Sequence, residues 1–107
     1  VVRHISPKEL AGAIAAGVAV YLIDVRKPWE HERASLPGSL LLPLDELTER
    51  ADEINPPEGA MVVAYCHRGV RSLSAAVLLE RLGIRVSSLR GGIDAWSREV
   101  DPAVPRY

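Results

Sequence analysis

One cysteine occurs in the 107 residues, so no internal disulfide can form, and a reducing, cytoplasmic setting is expected. No apolar run approaches the ~20 residues needed to span a bilayer, so no membrane association is expected. The opening Val1-Val2-Arg3-His4 lacks the form of a secretory signal. Net charge is −1 with no block of like charges, which excludes the basic footprint of a nucleic-acid binder. Repeats, low-complexity tracts and shifts of composition are also absent, so one domain over residues 1–107 is expected. The hydrophobic fraction is 48% and the charged fraction 25%, so disorder is not expected. A chain of this length buries roughly two-thirds of its unfolded surface, enough for a core.

Ser6-Pro7-Lys8-Glu9 reads as a capping box with proline at the first helical position. Leu10, Ala13, Ile14 and Ala16 follow at helical spacing, and Gly17 is a natural stop. Val18 to Ile23 is a β-branched apolar run ending at Asp24 and predicts a buried strand. Pro28 to Arg33 predicts one helical turn, Pro37-Gly38 a turn, and Ser39 to Leu42 a short strand. Pro43 to Glu53 predicts a helix with Leu44, Leu47 and Ile54 on its apolar side, and Asn55 to Gly59 a loop. Ala60 to Tyr65 is a second buried strand. Ser72 to Leu82 is a helix ending at Gly83, with Leu73, Ala76, Val77 and Leu79 or Glu80 along its inner edge. Arg85 to Leu89 is a further strand. Gly91-Gly92 then turns the chain into a helix from Ile93 to Val100, and Pro102 and Pro105 make the tail irregular.

Strands alternating with helices predict an α/β fold, a small, mainly parallel sheet with helices on both faces. Ligand sites of such sheets lie beyond the carboxyl ends of the strands, where Asp24, Cys66 and Arg90 all fall.

The richest segment is Cys66-His67-Arg68-Gly69-Val70-Arg71-Ser72. The lone cysteine sits where a strand stops and a helix is about to start. The first N–H groups of that helix lack internal partners, and its dipole favours negative charge there. Gly69 lets the backbone curl without a Cβ clash. These features describe an anion cradle around a thiolate, which makes Cys66 a candidate nucleophile, although a buried inert cysteine is the plain alternative. His67, Arg68, Gly69, Val70 and Arg71 are the candidate substrate-binding residues. Arg71 is placed to point back over the loop, whereas Arg68 also reads as a solvated surface charge. His67 reads as a loop-forming residue more readily than as the base of a Cys–His pair.

In order along the chain, Ser6 to Leu10, Ile23-Asp24-Val25-Arg26 with Glu30, Leu36-Pro37-Gly38-Ser39 followed by Pro43-Leu44, Cys66 to Ser72, and Leu89-Arg90-Gly91-Gly92 with Ala95-Trp96 resemble the successive motifs of the single-domain rhodaneses, the thiosulfate sulfurtransferase-like family. The resemblance covers nearly the whole chain. It departs at Ala34-Ser35, where the family often carries Gly-His, and at His67, a variable loop position. The resemblance implies a rhodanese-like fold and a two-step reaction. The Cys66 thiolate takes the outer sulfur of thiosulfate, sulfite leaves, and the Cys66 persulfide passes sulfur to cyanide or a thiol. No cofactor is implied. Four residues separate Cys66 from Arg71, one fewer than in cysteine phosphatases, and the tighter ring implies sulfur rather than phosphate. Phosphatase or arsenate reductase activity, and a non-catalytic interaction module, are the alternatives. No second cysteine can resolve the persulfide, so the partners are a small-molecule sulfur donor and an external thiophile, a protein thiol included.

Asp24, Arg26 and Glu30 read first as a structural ion pair, with Asp24 the best placed of them to support the loop from behind. Trp96 reads as core or as support for the Gly91-Gly92 turn, and Trp29 either flanks the pocket or packs. The three histidines are scattered and Cys66-His67 is not ligand spacing, so no metal site is expected. Gly91-Gly92 is only a weak phosphate-binding signal.

Overall fold

The computed structural model describes residues 2–107. β4 (Met61–Tyr65) is the central strand of a five-stranded sheet ordered β1-β5-β4-β2-β3. The other strands are β1 (Arg3–Ile5), β2 (Val20–Asp24), β3 (Leu40–Leu41) and β5 (Ser87–Leu89). Every pairing is parallel, with Asp24 beside Tyr65 in the β2–β4 ladder and Ala64 beside Ser88 in the β4–β5 ladder. The α/β expectation therefore holds, and the sheet is parallel throughout.

Side chains of β4 alternate between two cores. Val62 and Ala64, with Cys66 following, pack with Leu47, Ala75, Ala76 and Leu79 on one face. Val63 and Tyr65 pack with Leu10, Leu36, Leu89 and Ile93 on the other. A strand covered on both faces needs apolar residues at every position, which is why Ala60 to Tyr65 reads as an unbroken apolar run. Helix α4 (Val70–Arg81) covers the first face, and α1 (Pro7–Ala15) and α5 (Gly92–Glu99) pack together on the second.

The predicted capping box of α1 is present, with the Ser6 N–H donating to Glu9 Oε1 at 2.9 Å and the Glu9 N–H to Ser6 Oγ at 3.1 Å. Its predicted inner stripe is narrower than expected. Leu10 is fully buried, but Ile14 is 47% exposed and Ala16 lies beyond the helix as its C-cap. Helix α2 spans Pro28–Arg33 as predicted.

Other boundaries move. The Pro43–Glu53 helix is one turn of α-helix, α3 (Leu47–Arg50), between 3-10 turns at Leu44–Glu46 and Ala51–Glu53. Strand β1 was not predicted. It is three residues long with two exposed, and only its pairing with β5 makes it a strand. Helix α4 starts at Val70 rather than Ser72, because Gly69 at φ +101° caps it. It buries Ser72, Ala75, Ala76 and Leu79, while Val77 is 37% exposed. No helix among the described residues is long and apolar enough to cross a membrane.

Candidate active site

Cys66 follows β4 directly, and its side chain is 1% exposed. The Gly69 N–H donates to its sulfur at 3.1 Å and the Ser72 N–H at 3.4 Å. The N–H groups of Val70 and Arg71, in the same first turn of α4, carry no hydrogen bond among the described residues. Four successive amides thus belong to one tight curl, two directed at the sulfur and two without a partner. Such a ring accepts negative charge without bringing in a side chain. Behind the sulfur lie two buried hydroxyls. Ser72 Oγ is 3.6 Å from Sγ and 2.7 Å from Ser88 Oγ.

The loop is held from outside by α5. Its N-terminal N–H groups cap the carbonyls that would otherwise crowd the ring, Ile93 on Cys66 O at 2.9 Å and Asp94 on His67 O at 3.0 Å. This approach requires Gly92. A Cβ there would lie 2.5 Å from the His67 carbonyl carbon and closer still to the Cys66 and His67 oxygens. Gly91-Gly92 is therefore a seat for the Cys66 loop, and its pattern needs no phosphate.

Arg71 does not stand free over the loop. Both its terminal nitrogens are taken by the buried Glu30, with Nη2 to Oε2 at 2.8 Å. Burial would raise the Glu30 carboxyl, but hydrogen bonds from Arg71, from the Tyr107 hydroxyl and from the Lys27 N–H outweigh it and hold it at about 2. The Tyr107 hydroxyl donates to Glu30 Oε2 at 2.7 Å and accepts from Arg26 Nη1 at 2.6 Å. Arg26, fully buried, grips Asp24 through Nε at 2.8 Å and Nη2 at 2.7 Å. A groove of about 500 Å³ runs beside Arg71, walled by Val25, Pro43 and Leu44.

Asp24 makes no hydrogen bond to the loop among the described residues. Its carboxylate is consumed by Arg26 and His31, and it reaches the site only through Arg26, Tyr107, Glu30 and Arg71 in series. The structural ion-pair reading fits that geometry. His67 makes no hydrogen bond to Cys66; its ring stacks on Tyr107 at 4.2 Å, and its buried Nε2 has no hydrogen-bond partner among the described residues. Arg68 and Val70 are solvent-exposed, so Val70 lends only its amide. Arg90 falls at the strand end as expected; it is exposed, and its N–H is bonded to Ile5 O at 2.8 Å across the β1 edge. Trp29 is 56% exposed and meets Tyr107 edge-on, so it flanks the site.

Glu30, Ser72, Ser88 and Tyr107 are the residues that sequence reasoning missed or undervalued. Glu30 was visible as the third member of a charged trio, but its partner is Arg71, forty-one positions on. Tyr107 gave no signal, since it lies in a proline-broken tail.

The profile of the rhodanese-like domain matches residues 6–99. A sulfurtransferase of Allochromatium vinosum is 38% identical over 104 residues, covering 96% of this chain and 95% of that protein. A rhodanese-related protein of Thermoplasma volcanium superposes with a TM-score of 0.83 at 30% identity, over 98% of this chain and 99% of the other. The human single-domain sulfurtransferase superposes with a TM-score of 0.75 at 28% identity, over 90% and 96%. Other relatives are longer, and this chain spans only 26% of two of them. With the profile matching residues 6–99 and a relative of 38% identity spanning nearly the whole chain, this protein belongs to the rhodanese-like domain family.

Proposed function

We propose that residues 1–107 act as one sulfurtransferase domain that moves sulfane sulfur through a Cys66 persulfide. The carrying observation is the size and polarity of the ring around Sγ, four residues from Cys66 to Arg71, with two amides on the sulfur and two more unoccupied. The Cys66 thiolate attacks the outer sulfur of thiosulfate or of a persulfide donor. A Cys66 S–S bond forms, the donor S–S bond breaks, and sulfite or a thiolate leaves with the electron pair. The outer sulfur of Cys66 then carries the negative charge, and the free Val70 and Arg71 amides are suited to receive it. A thiophile such as cyanide or a thiol attacks that outer sulfur and returns Cys66 as thiolate.

The four residues between Cys66 and Arg71, one fewer than in cysteine phosphatases, weigh against a phosphatase. The names of the sulfurtransferase relatives support the same choice. A reducing, cytoplasmic setting suits a lone reactive thiol.

The test is intact mass after incubation with thiosulfate. One added sulfur atom is expected, released by cyanide and absent in Cys66→Ser. No adduct, or an adduct that persists in Cys66→Ser, overturns the reading. Turnover of a phosphate ester without an adduct would favour the phosphatase alternative.

A further inference from the structure

Tyr107 gathers contacts from three separate parts of the chain. Its ring lies flat on His67, with centroids 4.2 Å apart and planes 15° from parallel. Trp29 of α2 meets it edge-on at 5.9 Å. Its hydroxyl sits between two charges, accepting from Arg26 and donating to the Glu30 oxygen that also holds Arg71 Nη2. The segment bearing it is fastened to α5 twice, by Ser97 Oγ on Val104 O at 2.7 Å and by Arg106 on Asp94 at 3.2 Å. Asp94 is also the residue whose N–H caps His67 O. One helix turn therefore secures the loop backbone and the tail whose last side chain covers the loop.

We propose that Tyr107 is a positioning residue for sulfur transfer at Cys66, its ring seating His67 of the loop and its hydroxyl setting how tightly Glu30 holds Arg71. Among the described residues the buried Nε2 of His67 has no hydrogen-bond partner, so the stack with Tyr107 is what fixes that side chain. Glu30 divides one oxygen between Arg71 and the tyrosine hydroxyl. Without the hydroxyl that oxygen is left to Arg71, and the pair tightens. Burial and the adjoining Glu30 push the Tyr107 hydroxyl up to about 12 despite Arg26, so it stays a donor throughout the ordinary pH range. The consequence for sulfur transfer rests on the proposed function, but the consequence for the loop does not.

The test separates the two by reading Cys66 directly. Alkylation of the wild type, Tyr107→Phe and Tyr107→Ala is followed by intact mass, with neutral iodoacetamide and anionic iodoacetate. Tyr107→Ala frees His67 and uncovers the buried Cys66 thiol, which should raise the iodoacetamide rate about tenfold, about 1.4 kcal/mol off the barrier. Tyr107→Phe keeps the stack and should stay within about twofold for iodoacetamide. Its preference for iodoacetate should fall about threefold as Glu30 neutralises Arg71 more fully, within the range of a part-exposed ion pair. A Tyr107→Ala rate within about twofold of wild type would overturn the proposal. So would identical behaviour of the two variants, or a rise matched by faster hydrogen exchange in β4, which marks global loosening. Thiosulfate loading of the wild type reports on the proposed function alone, so the two failures are distinguishable.

Discussion

Replacing Gly92 with alanine tests how the active loop is seated. Two costs can be read from the structure. The residue has φ +62°, a left-handed conformation that costs a Cβ-bearing residue about 1–2 kcal/mol. The new methyl would also lie 2.5 Å from the His67 carbonyl carbon. Carbon atoms in contact sit about 3.5–4.0 Å apart, so roughly 1 Å must be found by moving α5 or the loop. Forced overpacking of that kind costs about 1–3 kcal/mol. The sum is about 2–5 kcal/mol, a large share of a small domain's stability. Gly83→Ala is the matched control. Its φ is +85° with nothing within 4 Å of the added carbon, so it carries the backbone cost alone. Urea unfolding should place Gly92→Ala about 1–3 kcal/mol below Gly83→Ala. Because the moving part bears Cys66, sulfur loading from thiosulfate should slow about 100-fold in Gly92→Ala and stay near wild type in Gly83→Ala. Equal stability in the two variants, together with unimpaired loading, would refute the seating argument.

Other substitutions probe the supports separately. The Glu30 carboxyl is held near 2 in the fold against an ordinary 4.5, so its contribution is complete above pH 4.5 and is lost as pH falls towards 2. Glu30→Gln should flatten acid unfolding across that window and cost about 1.5–3 kcal/mol at pH 7, measured by urea titration. Asp24→Asn leaves the fully buried Arg26 under-compensated, so about 3–5 kcal/mol should be lost while the folded fraction loads sulfur at the wild-type rate. Impaired loading there would show that Asp24 acts on the site through Arg26 and Tyr107. Ser72→Ala leaves the Ser88 hydroxyl buried without its partner, at a cost of about 1–3 kcal/mol, and the double variant Ser72→Ala/Ser88→Ala should recover part of the loss in thermal unfolding. Additive losses would mean that the two hydroxyls are independent.

The sequence alone carries the alternation of apolar runs and capped helices, and with it a parallel sheet whose central strand ends at the only cysteine. Local rules suffice for these, since burial on both faces forces the apolar run of β4 and Ser6 with Glu9 can only cap one turn. The four-residue spacing to Arg71 and the glycine that lets the loop curl are equally local. What lay beyond reach depended on neighbours distant in the chain. Strand β1 exists because β5 pairs with it, and Ile14, on the apolar stripe of α1, is left 47% exposed by the packing of its neighbours. The partner of Arg71 is chosen by α2, which brings Glu30 beneath it, and not by the position of Arg71 at a helix start. Gly91-Gly92 reads locally as a turn, and only the approach of α5 to the Cys66 and His67 carbonyls reveals why no Cβ fits. Tyr107 is the extreme case. A lone aromatic in an irregular tail has no periodicity to betray it, and its contacts arise solely from where the folded tail crosses the sheet's carboxyl edge.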